Sequence, residues 1–169
     1  MQYGDDLSDA ECVDLPNAQK IITWAEAALA GMRTEAQLTV RIVSSAESAM
    51  LNKTYRHKQG PTNVLSFAVA AFGVLPLAAL VHPCTAEDAD ELPVPLLGDI
   101  AVCAPVVERE AREQGKEAAA HWAHMVVHGT LHLISYDHLE GLQAQEMKAL
   151  ETRILARLGV PNPYNDDNK

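Results

Sequence analysis

The most informative part of the chain runs from His121 to His138 and reads HWAHMVVHGTLHLISYDH. It contains five of the seven histidines in the sequence. The pattern predicts a helix from Glu117 to about Leu133, and at about 100° per residue the first four of these histidines share one face of it. An amphipathic helix whose histidines cover a core would show the same clustering, so the spacing within the cluster has to separate the alternatives.

Two of these histidines have the spacing of metal ligands. His128 and His132 are four residues apart, which puts their Cβ atoms about 6 Å from each other, so both imidazoles can bind one ion. His124 is about 12 Å of helical rise from His132, too far to join the same site. His138 supplies a third ligand if the helix ends near Ile134 and the chain turns back. A three-histidine site leaves one tetrahedral position open, as catalytic zinc sites do, although three imidazoles also suit nickel or copper.

The same spacing, H-x3-H-x5-H, occurs in the metzincin proteases, so a peptidase is one alternative. Those enzymes carry Glu directly after the first His as the general base. Gly129 occupies that place here, which disfavours a peptidase. The absence of a side chain at Gly129 is instead expected to make room for a bulky substrate.

The composition is that of one globular domain with reduced thiols. The chain has 169 residues, 48% of them hydrophobic, and at this length it can bury a core without disulfides. Its three cysteines, an odd number with no CxxC pair, favour free thiols and exclude a zinc ribbon. We find neither the features of a signal peptide nor an apolar run long enough to span a bilayer, and therefore expect a cytoplasmic protein.

Charge is unevenly distributed along the chain. With 13 Lys and Arg against 23 Asp and Glu, the net charge is −10, which by itself argues against a polyanionic partner. Most of this acidity lies in an acidic lead-in at residues 1–15 and at residues 87–91, inside a predicted loop or insertion over 70–95. Residues 37–69 are net positive, with Arg41, Lys53, Arg56 and Lys58 against Glu47. This stretch is expected either to bind a polyanion or to be an ordinary exposed helix with a basic end.

Periodicity and capping signals predict five helices and three strands. The helices are expected at about residues 16–31, 45–56, 105–114, 117–133 and 142–158. The strands are expected at residues 37–43, 64–69 and 97–103. Ser44 and Glu47 have the spacing of a capping box at the start of the second helix.

Residues 128–138, HGTLHLISYDH, resemble the signature HGxLHLxGYDH of the YbeY family of rRNA-maturation endoribonucleases. Three upstream segments follow in the family's order: LNKTYR at 51–56, PTNVLSF at 61–67 and LGDI at 97–100. Downstream, Met147, Glu151 and Leu158-Gly159 fit its last helix, so the resemblance covers about residues 20–160. The chain departs from the pattern at Ser135, where the family usually has Gly, at Ala68, where Pro is common, and in the longer segment 70–95.

The resemblance implies a single α+β domain over residues 1–169, with a small mixed β-sheet flanked by helices and a three-His metal cleft. The implied activity is metal-dependent, single-strand-specific cleavage of RNA, in 3′-end maturation of the small-subunit (16S) rRNA and in ribosome quality control. The implied cofactor is one zinc ion per chain. The implied partners are single-stranded rRNA, the small ribosomal subunit and its assembly factors, including a GTPase, with neither a membrane nor DNA.

The resemblance also implies roles for particular residues. The metal ligands, which are also catalytic, would be His128, His132 and His138. Arg56, also expected to be catalytic, matches the family's functional arginine and would bind phosphate oxygens bidentately. The alternative for Arg56 is a solvated charge at a helix end.

Other polar residues keep two interpretations each. Asp137 would orient a ligand histidine or form a turn, and Asp99 would do the same or cap a strand. Asn63 and Ser66 would line the cleft or lie at a strand edge. His121 and His124 are expected on the helix face, one of them in contact with substrate. The alternatives to an RNase are a non-catalytic, metal-stabilised ribosome-assembly factor and a metallohydrolase acting on another substrate.

Overall fold

The computed structural model describes residues 1–4, 7, 15–31, 35–69, 94–134 and 141–164. Most of the acidic lead-in lies outside these ranges, as does the predicted insertion at 70–95 apart from its last two residues. Ser135, Asp137 and His138 also lie outside the described residues.

Four strands of the described chain form one mixed sheet. They are β1 (Gln2–Tyr3), β2 (Gln37–Val43), β3 (Val64–Ala68) and β4 (Leu96–Cys103). Their order is β1-β2-β4-β3; β1 and β4 run parallel to β2, and β3 runs antiparallel to β4. The three predicted strands are confirmed within one residue, and β1 is a short addition within the lead-in.

Five helices surround this sheet in the described residues. They are α1 (Ala18–Leu29), α2 (Ser45–Arg56), α3 (Ala104–Glu113), α4 (Ala118–Leu133) and α5 (Gly141–Arg157). The single α+β domain with a mixed sheet and flanking helices is confirmed, while the extent of one catalytic domain over 1–169 stays a prediction. α1 begins after Asn17, whose side chain accepts a hydrogen bond from the Lys20 amide at 3.0 Å, so the helix starts two residues after the predicted start at residue 16.

The two faces of the sheet carry separate apolar clusters. Side chains alternate along a strand, so Ile100 and Val102 of β4 face α1 and α4, whereas Ala101 and Cys103 face α2 and α3. The larger cluster, on the α4 side, includes Trp24 and Trp122 in addition to aliphatic side chains of α4 and α5. α4 is therefore buried along most of its length, between the sheet and α5. This packing also fixes the positions of the histidines that lie on α4.

Gly129 lets α4 lie directly on the sheet. A Cβ at this position would lie 2.8 Å from Ile100 Cγ2 and 3.2 Å from Val64 Cγ2. Its carbonyl oxygen accepts a hydrogen bond from Ser66 Oγ at 2.9 Å. The expectation that Gly129 makes room for substrate is therefore wrong, because the missing side chain faces the sheet. The same contact leaves no space for the Glu of a metzincin.

Candidate metal centre

His128 and His132 meet near the C-terminal end of α4, where both are partly buried. Their Nε2 atoms are 3.2 Å apart and their rings meet edge to face. Two nitrogen ligands with this separation, each roughly 2.0–2.1 Å from an ion, subtend about 100° at it, close to the tetrahedral angle. The structure thus brings together two of the three predicted ligands in a geometry that fits zinc. His138, the third, lies outside the described residues.

Glu151 of α5 holds the other nitrogen of His128. Its Oε1 atom lies 2.6 Å from His128 Nδ1, and the carboxylate is buried. Because an ionised carboxylate only accepts hydrogen bonds, Nδ1 carries a proton, and in the neutral imidazole Nε2 is then the nitrogen with the lone pair. Metal-bound histidines are commonly oriented by a carboxylate in this way.

His124, His128 and Glu151 form a candidate three-residue metal site among the described residues, with one ligand atom from each within 4.8 Å of the others. The 2.6 Å between Glu151 Oε1 and His128 Nδ1 would subtend only about 80° at an ion bound to both atoms. That distance is instead normal for a charge-assisted hydrogen bond. We therefore interpret Glu151 as the partner of a ligand, and His128 as the residue that both arrangements share.

Tyr164 completes this buried polar group from the turn after α5. Its hydroxyl donates to Glu151 Oε2 and lies 3.2 Å from His124 Nε2. The edge of the His124 ring faces the Tyr164 ring, with 5.4 Å between centroids. His124, expected on the helix face, is thus a buried member of the cluster.

Burial and hydrogen bonding act in opposite directions on these groups. Burial raises the pKa of the Glu151 carboxyl, but its interactions with His124, His128 and Tyr164 overcome this and lower it to about 2. Burial lowers the pKa of His124, and the neighbouring Glu151 only partly opposes this effect. At neutral pH the cluster therefore holds an ionised carboxylate and a neutral His124.

His121 belongs to a different contact, between α3 and α4. Its Nε2 atom lies 2.9 Å from Glu110 Oε2, and Asn63 Nδ2 donates to the same oxygen at 3.1 Å. The hydrogen bond from His121 lowers the pKa of Glu110, although burial opposes it. His121 is buried, so its observed role is to join two helices.

Asn63 and Ser66 have different positions. Asn63 lines a cavity of about 310 Å³ beside His124, His128 and Glu151, as expected for a residue of the cleft. Ser66 is only partly buried, but its hydroxyl is used in the hydrogen bond to Gly129 that seats α4 on the sheet.

Asp99 is not near the histidines. It lies within β4, opposite Phe67 of β3, and shares the α2 side of the sheet with Ala101. Both interpretations of Asp99 are therefore wrong, since it can neither orient a ligand on α4 nor cap a strand whose middle it occupies. The preceding Gly98 has φ +138°, and a Cβ there would overlap the Phe67 carbonyl oxygen.

Arg56 lies at the exposed end of α2, with Lys53 and Lys58 also exposed nearby. Leu51 of α2 packs on the apolar cluster on the side of the sheet opposite α4, and Arg56 is the last residue of that helix. The Arg56 side chain makes no hydrogen bond or ion pair with the described residues. Arg41, in contrast, pairs with Glu47 at 2.7 Å, which offsets its charge.

Sequence reasoning gave no structural role to Glu151 and missed Tyr164. A signal for Glu151 existed, because Met147, Glu151 and Ile154 repeat at helical spacing and put a carboxylate on the buried face of α5. Tyr164 had no comparable signal, since its contact depends on a turn that reverses the chain after Gly159.

None of the described helices has both the length and the apolar character needed to cross a membrane.

Comparison with known proteins identifies the family. The family model described as Endoribonuclease YbeY matches residues 8–159. Endoribonuclease YbeY of Pseudomonas entomophila is 48% identical over 162 residues, covering 96% of this chain and 93% of the relative. The Pseudomonas putida protein of the same name is 47% identical with the same coverage.

A solved structure supports the fold alone. The solution structure of TM1509 from Thermotoga maritima matches with a TM-score of 0.50 at 22% identity, covering 99% of this chain and 97% of that one. The resemblance seen in residues 128–138 is confirmed by the family match, and the chain belongs to the Endoribonuclease YbeY family.

Proposed function

We propose that this protein is a metal-dependent, single-strand-specific endoribonuclease that acts in 16S rRNA 3′-end maturation and ribosome quality control. One observation carries the metal centre: His128 directs Nε2 toward His132 at 3.2 Å while Glu151 holds its Nδ1. Relatives named endoribonucleases, which match nearly the whole chain, support RNA as the substrate.

The proposed ligands are His128, His132 and His138, with one zinc ion per chain. The first two fit the ion by the angle derived above, and His138 is proposed from the motif. A bound zinc ion would supply a Lewis acid for phosphate oxygens and would activate a water molecule at neutral pH. The geometry also suits other metals that favour imidazole, so metal content must be measured.

Glu151 is proposed to position a ligand and not to act as the general base. Its two oxygens already accept hydrogen bonds from His128 and Tyr164 in a buried setting. A carboxyl with a pKa of about 2 is also a weak base for water at neutral pH. Proton removal therefore falls to another group.

Arg56 is proposed to bind an RNA phosphate, assisted by Lys53 and Lys58. All three side chains are exposed. Residues 57–63 connect this basic end of α2 to Asn63, which lines the cavity beside His128. RNA would then cross the sheet edge at β3, the outer strand on that side of the described sheet. The proposed partners are rRNA, the small subunit and its assembly factors in the cytoplasm, with neither DNA nor a membrane.

Cleavage of a labelled single-stranded rRNA fragment tests the proposal, together with metal content, for wild type, His128→Ala and Arg56→Ala. Arg109→Ala is a matched control because Arg109 is an exposed arginine on α3. We expect one zinc per wild-type chain and cleavage of the single strand but not of a duplex. His128→Ala should lose both metal and cleavage, whereas Arg56→Ala should keep its metal and lose cleavage.

The nuclease proposal is wrong if highly purified, metal-replete wild type cleaves no more RNA than His128→Ala. Retained binding to small subunits would then favour the assembly factor without catalysis. Metal-dependent hydrolysis of casein, lost in His128→Ala, would favour a peptidase.

A further inference from the structure

Tyr164 lies beyond residue 159, where the match to the family model ends, yet its hydroxyl reaches the metal centre. The turn that brings it there is held at several points. Val160 N donates to Leu155 O at 2.9 Å, and Lys116 Nζ donates to Pro163 O at 2.6 Å. Asn162 Oδ1 accepts a hydrogen bond from Tyr164 N at 3.0 Å. The chain after α5 is thus fastened back onto α5 and the start of α4.

The ring of Tyr164 is packed between two side chains. The ring meets His124 edge to face. Nζ of Lys148, which lies on α5, is 4.8 Å from the centroid of the Tyr164 ring. Removal of the hydroxyl alone would leave these ring contacts intact, so the hydroxyl can be tested separately from the packing.

The two hydrogen bonds to the Glu151 carboxylate have a single allowed direction. The ionised Glu151 is acceptor only, so the Tyr164 hydroxyl donates to Oε2 and His128 Nδ1–H donates to Oε1. The Tyr164 oxygen can then accept from His124 Nε2–H at 3.2 Å. In the neutral imidazole of His128, Nε2 is the nitrogen without a proton, and it faces His132.

The second oxygen of Glu151 explains why Tyr164 matters. A buried carboxylate is costly unless its lone pairs are satisfied, and one with a single strong partner can rotate or tilt to find another. With Oε2 held by Tyr164, Oε1 stays aligned with His128 Nδ1.

We propose that Tyr164 is a positioning residue of the metal centre, whose hydroxyl holds Glu151 so that His128 presents an unprotonated Nε2 to the ion. This inference rests on the proposed role of His128 as a metal ligand. It extends the centre to a residue outside the segment that matches the family model.

Zinc titration against a competing chelator tests this with wild type, Tyr164→Phe, Glu151→Gln and His128→Ala. Tyr55→Phe is the matched control, because it makes the same change at an exposed tyrosine on α2. Loss of a group that orients a ligand histidine typically costs 10–100-fold in metal affinity, and we expect about tenfold for Tyr164→Phe. Glu151→Gln should lose more affinity, and Tyr55→Phe should bind as wild type does.

A second measurement separates positioning from simple packing. Nitrogen NMR of the metal-free protein reports which nitrogen of His128 carries the proton. Wild type should show the Nδ1–H tautomer, and Tyr164→Phe should show a larger share of Nε2–H. Lys116→Met removes the hydrogen bond to the Pro163 carbonyl but keeps the Tyr164 side chain. It should shift the zinc affinity and the tautomer ratio in the same direction as Tyr164→Phe, by a smaller amount.

Wild-type affinity and tautomer in Tyr164→Phe, with weakened binding in Glu151→Gln, would overturn the inference and leave Tyr164 only as an anchor of the turn. Undiminished zinc binding by His128→Ala would instead show that the proposed metal centre is wrong. The two failures are therefore distinguishable in one set of titrations.

Discussion

The histidine cluster on α4 and the basic end of α2, a helix that packs on the other side of the sheet, are organised differently. His128 has both ring nitrogens engaged, and the carboxylate beside it is buried and hydrogen-bonded on both oxygens. The Arg56 side chain is exposed and makes no hydrogen bond or ion pair with the described residues. Groups that must meet an ion at fixed angles gain from being held in advance, because ordering them at the moment of binding would cost entropy. A phosphate-binding arginine can be ordered by its substrate.

The largest expected effect is on metal affinity and follows from removing the Glu151 carboxylate, which supports the histidine cluster. Glu151→Ala removes the acceptor for both His128 and Tyr164, so metal affinity should fall about 100-fold, at the upper end for such partners. Isothermal titration with zinc measures it, and Glu113→Ala, at an exposed glutamate of α3, is the control. Equal affinity in the two variants would mean that the histidines need no buried support.

A second substitution tests whether the close contact of α4 with the sheet stabilises the side of the domain that carries the histidine cluster. Gly129→Ala should lower the free energy of unfolding by about 1–2 kcal/mol, since overpacking against Ile100 outweighs the better helix propensity of Ala. Urea unfolding measures this. In an Ile100→Ala background the same substitution should cost much less, because the neighbour that it would strike is gone. Equal costs in both backgrounds would contradict the close contact.

A smaller effect is expected on the exposed side. Arg56→Ala should weaken binding of single-stranded RNA by about tenfold and reduce the salt dependence of log K by about one unit, as for loss of one phosphate contact. Its melting temperature and zinc affinity should match wild type. Fluorescence anisotropy over a range of salt concentrations measures the binding, and an unchanged slope would remove Arg56 from the RNA surface.

The smallest effect concerns acid stability at the α3–α4 contact. The pKa of Glu110 is lowered by its hydrogen bond from His121, so its contribution is present above the unfolded pKa and is lost as pH falls through the folded one. Wild type should therefore lose more stability than Glu110→Gln when the pH is lowered below about 4.5, the ordinary value. Urea midpoints at each pH measure the difference, and Glu113→Gln should behave as wild type. Parallel curves for wild type and Glu110→Gln would exclude this contribution.

The parts of the molecule that could be predicted from the sequence are those set by neighbouring residues. The bounds of β2 and α2 follow from alternation and from the Ser44 cap, and the meeting of His128 with His132 follows from one helical turn. The strand alternation, the helix cap and the histidine pair each depend on residues that lie within four positions of one another in the sequence. Their prediction needed no knowledge of the tertiary structure.

The predictions that failed depend on which neighbour a side chain faces. Gly129 was expected to open a space for substrate but lies against β3 and β4, because the face of α4 that meets the sheet is set by long-range packing. One interpretation of Asp99 requires it to lie near the histidines, but its position in β4 directs it to the other side of the sheet. Tyr164 was missed because its contact depends on a reversal of the chain.

The placement of the two tryptophans gives the protein an optical reporter for one side of the sheet only. Trp24 and Trp122 both belong to the cluster between the sheet and α4, and Trp122 Nε1 donates to Glu108 at 3.0 Å. Their emission should shift to the red when that core opens to water, and should change little if α2 alone detaches. Tyr55 and Phe67, which meet edge to face on the α2 side, do not share that spectral window. Intrinsic fluorescence can therefore follow the metal-bearing half of the domain without any added label.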